Sequence, residues 1–482
     1  MEDLIGGGYC LKHTSTICAE LEDFIKREEI TLHYFAGSSG INAGTLSGIL
    51  NGNRPIAIGQ LDRMTYAMGL PEGSLYDLYI DEFFIPPVSH WRRLRPFMIR
   101  CAELKKCSCI RRISNRLLKD LRQITGIYDT AEILFEKGLY EAAAILYESV
   151  IASERSSHSE RLAISYYRLF QIFQNDSHKG YNAAIQFLPY RYRLPEAYAL
   201  NGLLMLAEVH AVRFSWTEVE NYADELSDLA FKLYKRQVWK SGDFNPDRPL
   251  VYYYGKSYLF KAASYEYRGM FAEAKNWISE YADLSWFEGL DQQGLDEVDN
   301  LKLFAKANYI NLEIKAGDRN RIPEYVCFLE DHPDEVVEGL ITLLESANRY
   351  HFFIDEIIIK FSYKIEQYRN VGTDHWLAQR GVTNSYSKKA LYNLRCSVFF
   401  QNFAVYNFRK GLHREGLKNL LYSMAISVTL DNKEHIVNSM VMFELYRRFA
   451  SDQQCQTYNN LCRNLWDHEK VNVLGGSDRA YI

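Results

Sequence analysis

The chain has 482 residues, with 56 Lys and Arg against 61 Asp and Glu. This near balance excludes a protein that is basic throughout, so any surface for nucleic acid has to be local. An apolar content of 47% beside 24% charged residues describes a folded globular chain, excludes large-scale disorder, and at this length calls for more than one domain.

Taken in chain order, the start carries no basic stretch followed by an apolar one, and nowhere are there about 18 uncharged apolar residues in a row. The protein is therefore expected in the cytoplasm and away from membranes. Prolines number 11 and none follows Pro333, strand-like alternation is scarce, and the chain reads as all-α. Nine cysteines are scattered without a C-x-x-C pair; Cys107 and Cys109 form a bare C-x-C. They are expected to be reduced packing thiols, and neither a metal nor a cofactor is implied.

Residues 1–80 predict five short helices, at 15–29, 32–37, 42–50, 60–68 and 74–78, separated by connectors that hold the glycines and prolines. Within them, 31–55 has the layout of a helix-turn-helix. Leu32 and Phe35 turn one apolar stripe inward, Gly40 makes the turn, and Ile41, Leu46 and Ile49 bury the second helix. Asn42, Ala43, Gly44, Thr45 and Ser47 are left facing outward. Such small side chains let a helix enter a major groove roughly 12 Å wide.

Residues 81–123 form a second segment, a basic linker helix region. Between His90 and Arg122 eleven Lys and Arg face two acids, whereas the first 80 residues hold five bases and ten acids. From 124 to 482 the pattern is one of amphipathic helices joined by short turns. Its clearest unit runs from Ile127 to Tyr147, where Gly138 makes a turn, Ala143 permits close approach, and Tyr140 and Tyr147 fill the groove. Gly138, Gly269 and Gly411 are separated by 131 and 142 residues, each close to four repeats of about 34. The fold class expected is thus all-α: an N-terminal helix-turn-helix domain (1–80), then a solenoid of helix pairs like the tetratricopeptide (TPR) arrays.

Gly40, Ile41, Asn42, Ser47, Asn51 and Gly52 match the helix-turn-helix pattern of Cro/C1-type (XRE) repressors, and residues 60–70 resemble the fourth helix of that family. By position, the resemblance places Ala43, Gly44 and Ser47 against bases and Thr45, Asn51 and Arg54 against phosphate. The recognition helix carries no Arg, Lys or Gln, so only Asn42 could read a base with two hydrogen bonds. Phosphate attraction would have to come from the basic 90–122 segment.

A DNA-reading domain followed by such a solenoid resembles the RRNPPA superfamily of peptide-pheromone receptors, which includes the PlcR-like regulators and the arbitrium receptors of phages. The resemblance implies a homodimer on a palindromic double-stranded DNA operator, whose grip is changed by a short oligopeptide held in the solenoid groove. Dimerisation is expected through the C-terminal helices, from about Asn432 to His468. With Gly138, Phe214, Gly269, Gly317 and Gly411 taken as one turn position, helical periodicity puts groove-facing sites about 13, 10, 6 and 3 residues earlier. They include Asn201, Glu208, Lys256, Glu266, Asn311 with Asn308 nearby, Gln401 and Arg409. Amides suit the task, since they donate and accept at once and can clamp a peptide backbone.

No P-loop, H-E-x-x-H, G-x-S-x-G or dinucleotide motif occurs, and the chain is not expected to be an enzyme. The alternative function is a protein-interaction scaffold, in which the helix-turn-helix docks protein in place of DNA.

Overall fold

The computed structural model describes residues 16–83, 91–154, 159–174, 177–240, 244–370 and 387–474. Among these the secondary structure is all helical, with 24 α-helices and no strand, and no helix is long and apolar enough to cross a membrane. The chain divides into two compact units, Met1–Ile172 and Phe173–Ile482. The first takes in the segments expected at 1–80 and 81–123 together with the opening helices of the repeat region.

The first unit runs α1 (Ile17–Arg27), α2 (Leu32–Ser39), α3 (Ala43–Leu50), α4 (Ile58–Ala67), α5 (Tyr76–Phe83), α6 (Trp91–Glu103), α7 (Cys107–Leu117), α8 (Ile124–Glu136), α9 (Tyr140–Glu154) and α10 (Glu160–Phe173). Short polar side chains start the early helices by taking up amide groups that have no partner in a first turn. Thr16 accepts from Ala19 N, Thr31 from Tyr34 N and Asn42 from Gly44 N. Phe35, Leu46, Ile49, Leu61 and Met64, all buried, form the core beneath α2, α3 and α4. Gly126 on α8 allows a close approach: a Cβ there would lie 2.0 Å from the Trp91 ring, whose Nε1 donates to Gln123 Oε1 at 2.9 Å.

The second unit comprises α11 (Ser177–Phe187), α12 (Glu196–Val212), α13 (Trp216–Lys235), α14 (Leu250–Tyr267), α15 (Phe271–Ala282), α16 (Gln292–Lys315), α17 (Ile322–Asp331), α18 (Val336–Tyr350), α19 (Asp355–Lys360), α20 (Ser362–Asn370), α21 (Ser387–Arg409), α22 (His413–Thr429), α23 (Lys433–Tyr446) and α24 (Asp452–Leu474). Consecutive long helices pack on one another, and every second helix also meets the next but one, as α12 meets α14, α14 meets α16 and α16 meets α18. This is the arrangement of stacked helix pairs. The five positions aligned as one turn, Gly138, Phe214, Gly269, Gly317 and Gly411, all adopt positive φ. A left-handed residue reverses the chain after a helix with few residues, so the next helix returns alongside the last.

Phe214 is the exception among the five, since a bulky residue at φ 56° sits in a region that costs on the order of 1–3 kcal/mol. Its ring is clamped between those of Trp216, Tyr267 and His435. The last of these belongs to α23. Contacts of α12 with α21, and of Arg213 with Asp431 at 3.8 Å, likewise bring the start of this unit to its later helices. The inner helices therefore curve around a half-open space.

Candidate functional sites: an exposed helix face and a helical cavity

In the first unit, α2 ends at Gly40, whose φ of 63° lets Ile41 N donate back to Ala36 O at 3.1 Å and Ile41 enter the core. Arg63 of α4 fixes this turn by donating to Gly40 O at 3.0 Å. The chain then starts α3, which buries Leu46 and Ile49 and turns its other face to solvent. Asn42, Gly44, Asn51 and Arg54 are exposed, and Ala43, Thr45 and Ser47 are half-buried; none of the seven is packed inside.

These residues bond mainly to one another. Asn42 Oδ1 accepts from Gly44 N at 2.8 Å, Arg54 Nη1 donates to Thr45 Oγ1 at 3.0 Å, and Asn51 Nδ2 reaches Ser47 Oγ at 3.4 Å. The cap uses one lone pair of the Asn42 oxygen and fixes the direction of the amide, which restricts two-bond reading of adenine.

The basic segment lies on α6, α7 and the turn into α8, and much of its charge is matched within the unit. Arg100 pairs with Asp62 and Glu103, both at 3.0 Å, and with Glu72. Arg112 pairs with Asp81 at 2.8 Å and with Asp77, while Arg116 joins Asp81 and donates to Ile80 O at 2.6 Å. Arg95, Arg111 and Arg122 pair with Asp129, Glu148 and Asp120. Arg100 and Arg112 thus reach back to Asp62, Glu72 and Asp77 of the first 80 residues, while the other pairs are made with acids at or beyond Asp81. Arg92, Arg93, Lys105, Lys106 and Lys119 have no ion-pair partner among the described residues, and Arg92, Lys105 and Lys119 are exposed.

The second unit holds a cavity of 570 Å³ walled by the C-terminal parts of α14 and α16, by α18 and α21, by the start of α23 and by the Phe214 turn. Small-molecule and cofactor sites run from roughly 300 to 1,000 Å³. Lys315 of α16 reaches across to Glu266 of α14 at 2.6 Å and Glu345 of α18 at 2.8 Å. Glu338 and Arg395 form a second pair at 2.9 Å. Burial and the neighbouring Glu434 push the Tyr267 hydroxyl up to about 12, and burial holds the imidazole of His435 below its ordinary value.

Of the residues expected in the groove, Glu266 and Gln401 come together in this cavity; Gln401 Nε2 lies 3.4 Å from Ser439 Oγ. The others are placed elsewhere. Asn201 Nδ2 donates to Met205 Sδ of its own helix, Glu208 is half-buried on α12, and Lys256 sits over the rings of Tyr252 and Phe304. Asn308 Nδ2 donates to Tyr281 Oη at 3.0 Å. Asn311 is 5% exposed and packs beside Tyr325. Arg409 Nη1 donates to Ala347 O at 2.6 Å, away from the cavity lining.

Ala211, Leu259, Ala263 and Val398 also line the space; they were not singled out from the sequence, because apolar side chains offered no chemical cue. Lys315, Glu345, Trp216 and His435 were missed. Lys315 lies two residues before Gly317, one short of the nearest offset considered. Glu345 precedes a turn made by His351 at φ 57°, where no glycine marks the position. Compared with known proteins, the chain matches no family model and no curated sequence.

Proposed function

We propose that the protein is a cytoplasmic transcription regulator which reads a palindromic double-stranded operator as a homodimer and takes a short oligopeptide into the cavity of its second unit, changing its hold on DNA. The observation that carries this reading is α3: an eight-residue helix anchored by Leu46 and Ile49, set after a tight turn, with an outer face of small side chains. Small outward residues on an anchored helix are what close approach to a groove requires. A peptide site is supported by the cavity, in which apolar and aromatic walls stand beside charged and amide side chains. A homodimer is supported by Val437, Val441 and Leu445, which make a stripe at successive turns of α23 and are each more than half exposed.

One observation favours the scaffold reading instead. Six of the eleven bases between His90 and Arg122 are engaged by acids of the same unit, which weakens the attraction to phosphate that a sequence count would suggest. Capture of genomic fragments by the full chain, with and without a cytosolic peptide extract, separates the two. A regulator enriches a fragment set that the extract shifts, and Ser47→Glu abolishes the enrichment without altering the oligomeric state. Enrichment that persists in Ser47→Glu removes α3 from the interface, and absence of enrichment at any salt concentration leaves the scaffold.

A further inference from the structure

One corner of the cavity combines an acidic excess with a cluster of aromatic rings. Glu266 and Glu345 share the single ammonium of Lys315, and Glu434 acts on the same Tyr267 and His435 that feel Glu345. Beside them stand Phe214, Trp216 and Tyr267, with ring centroids 5.0 to 6.1 Å apart. Among the other charged lining residues, Arg395 is matched by Glu338. Arg349, one turn beyond Glu345, is exposed and has no carboxylate partner among the described residues.

Acids near a surface are ordinarily just solvated. Here a second observation points to a ligand: His435, 7% exposed, lines the cavity with its Nδ1 lacking a hydrogen-bond partner, and Trp216 Nε1 in the same wall is buried and equally unpartnered. Buried polar atoms in native proteins are nearly always paired. The His435 nitrogen is therefore a position where a ligand N–H completes the bonding, whereas Trp216 Nε1–H, which can only donate, calls for an acceptor such as a peptide carbonyl.

Resting on the reading of this cavity as an oligopeptide site, we propose that the corner takes a cationic group on a flexible apolar stem, namely an arginine or lysine side chain of the peptide. Its stem lies on Phe214, Trp216 and Tyr267, and its charge meets Glu434 and Glu345. Aromatic faces attract cations most strongly where water is excluded, and carboxylates add charge-assisted hydrogen bonds. The same chemistry could be offered by a free alkylguanidine, so the test includes one.

The experiment titrates the full chain with acetylated, amidated hexapeptide pools, random except for one position fixed as Arg, Lys, Gln or Glu, and with agmatine alone. Each is repeated on Glu434→Gln; Glu434 is exposed, so the variant is expected to fold. Arg and Lys pools are expected to bind at least tenfold tighter than the Gln pool, and Glu434→Gln to reduce that preference below threefold. Agmatine binding as tightly as the Arg pool would keep the cation corner and remove the peptide reading. Gln or Glu pools equal to the Arg pool, or an undiminished preference in Glu434→Gln, would overturn the corner while leaving a peptide site. Binding by no pool and no amine removes both.

Discussion

Replacing Lys315 by Met tests how the inner helices of the second unit are held. The ammonium joins Glu266 on α14 to Glu345 on α18, and the three side chains are 16%, 25% and 34% exposed. Methionine keeps most of the stem and removes the charge, leaving two carboxylates facing each other across the cavity. Deleting one partner of a buried pair costs about 3–5 kcal/mol, and the partial exposure of Glu345 favours the lower end. At roughly 2–4 °C per kcal/mol for large domains, a loss of about 3 kcal/mol lowers Tm by about 6–12 °C.

The pH dependence supplies the sign. Burial opposes the charge on Lys315, but the two carboxylates outweigh it and raise its pKa. Its contribution is thus complete below the unfolded value of 10.5 and lost only as pH rises through the higher folded value. In Lys315→Met the orphaned carboxylates bind protons more readily when folded than when unfolded, so the variant gains stability as pH falls from about 7 to about 5. Adding Glu266→Gln and Glu345→Gln should restore most of the loss. Calorimetric unfolding at both pH values provides the measurement. A Tm within about 1 °C of the parent at pH 7, or a variant that loses stability on acidification, would refute the reasoning.

Three further outcomes follow from other parts of the molecule. Gly138→Ala adds a methyl where nothing lies within 4 Å but φ is 74°, so it should cost only about 1 kcal/mol; Gly126→Ala drives a Cβ into the Trp91 ring and should cost about 1–3 kcal/mol or more. Urea unfolding of the two variants ranks them, and equal losses would deny the close approach of α8 to Trp91. The Arg116 and Arg112 guanidiniums hold the carboxyl of Asp81 below its ordinary value of 3.8, so its contribution is present above that pH and fades as pH drops through the folded value; unfolding curves of Asp81→Asn should be flatter with pH in that acid window. If DNA is bound, at most five unpaired bases of the 90–122 segment are available to phosphates, so that segment should add no more than about 4.5 to the slope of log affinity against log salt. Filter binding across a salt series measures the slope, and substitution of Lys105 and Lys119 should lower it.

Much of the local architecture could be read directly. The second helix of the expected pair, 42–50, forms as Ala43–Leu50 because its start depends on Asn42, its turn on Gly40 and its anchoring on apolar residues three apart. Each of these signals lies within a few residues of what it controls. Long-range charge matching was less accessible: composition separates an acidic first segment from a basic second one, and only packing joins Arg100 to Asp62 and Arg112 to Asp77.

The cavity shows the same division. Helical periodicity located Glu266 and Gln401 because the distance from a marked turn fixes which way a side chain faces on one helix. It also selected Asn311, which packs beside Tyr325 of the next helix, because periodicity gives the side chain's direction but not which neighbour covers that face. By itself, then, the sequence determined an all-helical chain, its turns, and the faces of individual helices, all matters of short-range sterics and periodic hydrophobicity. Curvature around a half-open space, and with it the meeting of Phe214 with His435 and of Tyr267 with Glu434 across well over a hundred residues, was decided by the tertiary structure, because small rotations at successive helix pairs accumulate and no local pattern records their sum.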